Sequence, residues 1–284
     1  MSSTAQSANS AIRARNFLWA TFFVMGISSM AWVPRIPEIK EQLNYGDGAF
    51  GFIILAGALG SVLGAQISGR AIHLIASRTF MRLTSITMSI GIYTMGSAHG
   101  SSTLVIGLLL TGLSFAALDV AANVQAMAIE KLTKARYMSS FHAMWSIGAF
   151  AVTLVGGILA RILTPSEHLK SLALIAFVCY QFTITWLLPA DLDGHKGEAH
   201  ESTDAKIPLF GKKVITLWAL GIGLMASFIP EAGIYDWSGI LLKEHMNVAK
   251  GATAAAATVY SLGMIVSRFL GDRWFERWGH QKTV

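Results

Sequence analysis

The sequence predicts an all-α polytopic membrane protein, and three observations carry that expectation. Of its 284 residues, 53% are hydrophobic and only 13% charged, where soluble domains carry about 25% charged residues. Mean hydropathy is +0.52. The stretch Leu83–Leu118 contains no Asp, Glu, Lys or Arg, which is long enough for two crossings at about 20 apolar residues each. Lys and Arg are also unevenly distributed between alternate loops, as a chain threaded through a bilayer requires.

The elements follow in order. Met1–Arg15 is a Ser/Ala-rich tail, expected to be disordered and ending in Arg13 and Arg15. Span 1 covers Asn16–Val33 and stops at Pro34-Arg35-Ile36-Pro37, where two prolines and a charge end a helix. Span 2 covers Gly48–Gly69, and its Gly60 and Gly64 have the spacing that lets another helix approach closely. Span 3 starts near Leu83, the turn falls at Ala98–Ser102, and span 4 ends near Ile129. Span 5 is Tyr137–Ala160, and span 6 is Ser171–Leu188, closed by Pro189. Asp191–Lys213 is a charged linker, the one polar stretch long enough to divide domains 16–190 and 214–284. Span 7 starts at Val214 and leaves the bilayer near Leu242; span 8 is Gly251–Ser267, followed by the basic segment Arg268–Lys282. With the N-terminus in the cytoplasm, the inner segments hold 16 Lys and Arg and the outer segments 6. The expectation is therefore an inner or plasma membrane protein with eight spans and a cytoplasmic N-terminus. The net charge of +6 reflects topology and calls for no nucleic-acid partner.

An internal repeat organises these spans. Lys40–Ala49 reads KEQLNYGDGA and Lys243–Ala252 reads KEHMNVAKGA, with five of ten positions identical at an offset of 203 residues. The same offset carries Arg70 onto Arg273. Six spans followed by a restart in the same orientation make a parallel repeat about an axis along the membrane normal.

Acids inside spans single out candidate functional residues. Asp119 lies within span 4, with Asn123 one turn later on the same face. A carboxylate there costs roughly 2.5–3.5 kcal/mol on insertion scales, so it should face a protein interior or a wet cavity. Counting inward from the turn between spans 4 and 5 brings His142 and Trp145 level with Asn123 and Asp119, as one cluster able to take up and pass a proton. Within span 7, Pro230 and Gly233 should break or kink the helix around Glu231 and Asp236, and interrupted helices with polar residues mark transporter binding sites. Arg35 is expected to pair with Asp236 and close the outer side. No HExxH, CxxC, clustered His/Cys or Gly-rich phosphate loop occurs, so no metal, cofactor or enzymatic chemistry is expected. The linker's His195 and His200 are too few for a metal site.

Six spans, a charged cytoplasmic linker and a second copy resemble the major facilitator superfamily. Its loop signature between spans 2 and 3, Gly-x-x-x-Asp-Arg/Lys-x-Gly-x-Arg/Lys-Arg/Lys, is met by Gly69 and Arg78, with Arg70 beside them. His73 stands where the Asp belongs and Ala76 where the second Gly belongs. Gly271-Asp272-Arg273, after span 8, resembles the degenerate second copy of that loop. Gly156-Gly157 match half of the antiporter signature of span 5, but Val152-Thr153 replace its Gly-Pro. Gly112–Ala126, Ser140–Gly148, Glu231 and Asp236-Trp237 are most similar to the branch with fucose permeases and rhizopine-cluster membrane proteins. The resemblance implies a six-helix N-terminal bundle plus the first two helices of a second bundle. It also implies proton-coupled transport of a small polar, sugar-like solute by alternating access, with Trp237 joining the site residues. Family members have twelve spans, so the chain reads as truncated after the eighth. The alternative is a non-transporting fragment of such a carrier.

Overall fold

The computed structural model describes residues 2–194, 211 and 214–278, with the backbone alone for 2–8, 271–276 and 278. Among the described residues there are helices and no strands. Eight long helices account for the eight expected spans. α1 is Ser2–Ser29, and a short α2, Ile36–Gln42, follows it after a 3-10 turn at Val33–Arg35. α3 is Asp47–Ile75, α4 Ser77–Gly96, α5 Ser101–Thr133, α6 Met138–Leu159 and α7 Pro165–Thr185. α8, Ile215–Ala232, passes through a π-helical turn at Gly233–Trp237 into α9, Ser238–Glu244, and α10 is Ala255–Trp278. Seven of these segments are long and apolar enough to cross a membrane. The remaining long helix, α4, is 20 residues long and includes Arg78 and Arg82.

Several boundaries differ from the sequence expectation, each for a local reason. The N-terminal tail is helical from Ser2 and not disordered, and Ala11 and Ala14 are fully buried. Its arginines are held by aromatic rings: Arg13 lies over Trp186 at 5.2 Å, and Arg15 lies over Trp19 at 4.7 Å. α3 runs past Gly69 to Ile75, so the loop expected between spans 2 and 3 shrinks to Ala76 alone. Ala76 adopts φ 66°, ψ 152°, a region nearly reserved for glycine. α4 therefore starts at Ser77 rather than Leu83. α10 likewise continues beyond Ser267, so Gly271, Asp272 and Arg273 lie on a helix and not in a loop; their side chains fall outside the described residues, as do His195 and His200.

Packing follows the small residues. A Cβ at Gly60 or Gly64 would collide with the backbone of Leu109 or Leu113, so the glycine pair presses α3 onto α5, with Gly57 and Gly112 in mutual contact. Gly26 and Gly148 do the same for α1 and α6. α4 packs on α5 and α7, and α1 on α6, α7 and α5. A polar knot ties the Arg78 end. Ser77 donates to the buried Asp193 carboxylate from its N–H (2.8 Å) and Oγ (2.6 Å). Gln125 Nε2 donates to Ser77 Oγ at 2.8 Å, and Gln125 Oε1 accepts from the Leu188 N–H at 3.0 Å. At the opposite end, α2 and α9 pack on each other. The offset of 203 maps Ile36–Gln42 onto residues 239–245, almost the span of α9. The repeat seen in the sequence thus falls on two equivalent short helices that pack on each other.

Candidate functional site

A cavity of about 500 Å³ lies between the two copies. α5 contributes Phe115 and Asp119, and α6 contributes His142 and Trp145. The second copy adds Glu231 from α8, Tyr235 and Asp236 from the π turn, and Arg268 from α10. Trp32 and neighbours at the end of α1 close one side. Three carboxylates thus surround one space within the depth of the spans. Its size falls in the range of small-molecule pockets, roughly 300–1,000 Å³.

The positions of these groups have local causes. Close contact at Gly26 and Gly148 sets α6 against α1, and the His142 ring then packs edge-on to Phe22 at 5.3 Å between centroids. Glu130 caps the start of α6, its Oε1 accepting from the Met138 N–H at 2.8 Å and from the Tyr137 N–H. Trp145 is 9% exposed, and its indole N–H is buried without a hydrogen-bond partner. A π turn inserts one extra residue into the helical ladder, and here it follows Pro230, whose missing N–H already loosens the ladder. Helix continuity is preserved while Tyr235 and Asp236 are turned toward the cavity. Tyr235 Oη is paired with Ser261 Oγ at 2.9 Å.

Of the residues singled out from sequence, Asp119, His142, Trp145, Glu231 and Asp236 all line this cavity. Asn123 supports it from behind, its Nδ2 donating to the Asp119 backbone carbonyl at 2.9 Å. Trp237 stands apart, its ring lying over Gly51 on α3. The expected Arg35–Asp236 pair does not form. Arg35 is fully buried and uses partners within its own copy: Nε donates to His168 Nδ1 at 2.9 Å, and Nη1 donates to Glu38 at 3.0 Å and to the Leu163 carbonyl at 3.0 Å. A buried guanidinium needs acceptors at once, and α2, α7 and the α6–α7 connection supply them to its Nε and Nη1. Of the loop-motif residues, Arg78 donates to the Thr185 carbonyl, while Gly69 and Arg70 are exposed on the last turns of α3.

The one charged lining residue that the sequence does not single out is Arg268. The sequence puts Arg268 at the head of the basic segment after span 8, yet it lies on α10 inside the bundle. Its Nη1 donates to the His142 carbonyl and to Ser146 Oγ, and its guanidinium lies over the Trp145 ring at 5.4 Å. It fastens the second copy to α6. Its place in a run of basic residues hides it; the one signal in the sequence is that Gly251–Ser267 falls short of the roughly 20 residues a full crossing needs.

The profile of the Major Facilitator Superfamily matches residues 18–284. The chain belongs to that superfamily. Among its relatives, an uncharacterized MFS-type transporter of Yersinia pestis is 25% identical over 265 residues, covering 93% of this chain and 66% of the relative. Membrane protein MosC of Rhizobium meliloti is 23% identical over 252 residues, covering 89% of this chain and 60% of MosC. The chain thus spans about two thirds of the length of these relatives. A crystal structure of the nucleoside transporter NupG (D323A mutant) superposes with a TM-score of 0.72 at 12% identity, over 94% of this chain and 69% of that one. The fold is therefore that of this superfamily: a six-helix bundle with further helices of a second one, in a multi-pass membrane protein.

Proposed function

We propose that this superfamily member is a secondary active transporter that moves a small polar, sugar-like solute by alternating access, driven by protons. The observation that carries the reading is the placement of Asp119, Glu231 and Asp236 with His142 around one cavity at the seam of the two copies. Acids at membrane depth are costly and mark solute or proton pathways. A carboxylate facing imidazole across a small hydrated space is suited to exchange a proton as solute binds. Asp119 and His142 sit on the first copy, and Glu231 and Asp236 on the second, so a bound solute can be held from both sides and released when the copies rock apart. The N-terminus is placed in the cytoplasm and the Lys40 end outside, following the bias of Lys and Arg.

Reconstituted vesicles test this. Asp119→Asn should keep solute exchange down a gradient and abolish proton-driven accumulation. Accumulation equal to the parent's would overturn proton coupling through Asp119. The solute panel should include hexoses and nucleosides, the latter because the structurally similar NupG is a nucleoside transporter.

A second reading, a non-transporting fragment of such a carrier, is favoured by one observation: α8 has no buried residue along Ile215–Ala232. If neither exchange nor accumulation occurs with any solute of the panel in folded protein, this reading replaces the first.

A further inference from the structure

Three arginines from α1 and α4 meet α7 at the end of the bundle that the bias of Lys and Arg assigns to the cytoplasm. Arg13 lies on α1, Arg78 and Arg82 lie on α4, and all three gather around Thr185 and Trp186, where α7 stops. The Arg13 guanidinium covers the Trp186 ring at 5.2 Å. Arg78 Nη2 donates to the Thr185 carbonyl, and Arg82 Nη2 donates to Thr185 Oγ1 at 3.1 Å. Arg13 and Arg82 both stand close enough to Arg78 to repel it.

Local structure leaves most of this charge unanswered. The free carbonyls at the end of a helix such as α7 amount to about half a negative charge, against three guanidiniums. Among the described residues, none of the three forms an ion pair with a carboxylate. The buried Asp193 carboxylate beside them accepts from the Ser77 N–H and Oγ. Arg15, on the same helix as Arg13, shows the contrast, since it donates to Asn16 Oδ1 and to Tyr137 Oη. Next to the three arginines lies an apolar ledge. Phe17 stacks on Trp186 at 5.6 Å and meets Phe182 edge-on at 5.8 Å, and Phe182, one turn deeper along α7, is 61% exposed. Cations at one level and open aromatic rings just below them match the layering of headgroups over acyl chains.

We propose that Arg13, Arg78 and Arg82 form a binding site for an anionic phospholipid, with its phosphate among the guanidiniums and an acyl chain over Trp186 and Phe182. The chemistry selects that occupant. Guanidinium forks match phosphate oxygens in pairs, and basic pockets between cytoplasmic helix ends suit such headgroups. A zwitterionic lipid brings its own ammonium and offers less to a cluster that already has surplus positive charge. The bound lipid offsets the repulsion among the three arginines and ties α4 and α7 to α1. None of the three lines the solute cavity, so this site stands independently of the transport reading.

The test uses the full chain in detergent, stripped of lipid. Bound lipid is counted by native mass spectrometry as dioleoyl phosphatidylglycerol or dioleoyl phosphatidylcholine is added. The parent should bind phosphatidylglycerol about tenfold more tightly than phosphatidylcholine. The double variant R13Q/R82Q should weaken phosphatidylglycerol binding by about thirtyfold, at about fivefold for each arginine removed. R13K/R82K keeps the charge without the fork and should lose no more than about fivefold. Lys131→Gln removes a cation from the last turn of α5 and should change nothing. Arg82→Gln alone, with about a fivefold loss expected, serves should the double variant misfold. Equal binding of the two lipids by the parent overturns the site, as does undiminished binding by Arg82→Gln. An equal loss in Lys131→Gln and R13Q/R82Q also overturns it, since attraction would then be spread over the whole face. Glycerol phosphate bound as tightly as phosphatidylglycerol would overturn a lipid as the occupant.

Discussion

α1 with α2, and α8 with α9, occupy equivalent places in the two copies, yet they are built differently. α1 is buried along one face by Leu18, Phe22 and Met25, and its hydroxyls bond back to their own helix, Thr21 Oγ1 to the Phe17 carbonyl and Ser28 Oγ to the Val24 carbonyl, both at 2.8 Å. α8 instead carries Glu231 where α1 has Ser28, Asp236 where Val33 stands and Tyr235 where Trp32 stands, and it needs a π turn to present them. The shared features are the outer Lys-Glu dipeptide and the Gly-Ala pair that follows it, Gly48-Ala49 and Gly251-Ala252. Duplication thus conserves what the two copies use to meet each other, and it diverges where a solute would be held.

Placing an acid at the wrong member of the pair breaks this comparison most severely. Ser28→Glu puts in the first copy what position 231 carries in the second, but Ser28 is only 2% exposed. A buried, unpaired carboxylate should cost about 3–5 kcal/mol, so thermal unfolding in detergent should fall sharply, whereas Glu231→Gln should leave it nearly unchanged. Equal effects of the two substitutions would show that Glu231 is packed rather than cavity-facing. A smaller effect is expected at the link between copies. Arg268→Ala removes charge-assisted hydrogen bonds to α6 and should lower stability by about 1–3 kcal/mol; Arg268→Lys should recover part of it, since an ammonium keeps the charge but not the fork. Thermal shift of the two variants side by side reads the difference.

The smallest effect concerns the turn at which the first copy departs from its family's signature. Ala76 stands where the signature has glycine, and it holds a backbone conformation that costs a residue with a Cβ about 1–3 kcal/mol. Ala76→Gly should therefore stabilise the protein by about 1 kcal/mol, less whatever freedom glycine returns to the unfolded chain. A lowered midpoint of unfolding would mean that the turn is not strained.

Much of the architecture was legible in the chain because lipid imposes simple rules. A stretch free of charge for two crossings, prolines and charges at the ends of spans, and glycines four apart left few alternatives to a helical bundle. The repeat was legible for the same reason that α2 and α9 now face each other: symmetry leaves identical residues in equivalent places. Five of the seven solute or proton candidates converge on one cavity because an acid in a span has few places to go. Trp237 could not be placed, since its neighbour across the seam, Gly51, lies far away in sequence.

The sequence by itself determined that the chain crosses a membrane repeatedly, that it is duplicated and that its intramembrane acids need polar company. Tertiary structure alone decided which partner each charge takes. Arg35 turns to His168, Glu38 and Leu163 rather than to Asp236. Arg268 leaves a basic run to join the cavity, and Lys40 and Lys243 cross the pseudo-twofold to each other's glutamates. Burial depends on local residue type, which is written along the chain. Pairing depends on distances of a few ångströms between residues far apart in sequence, and only packing sets those.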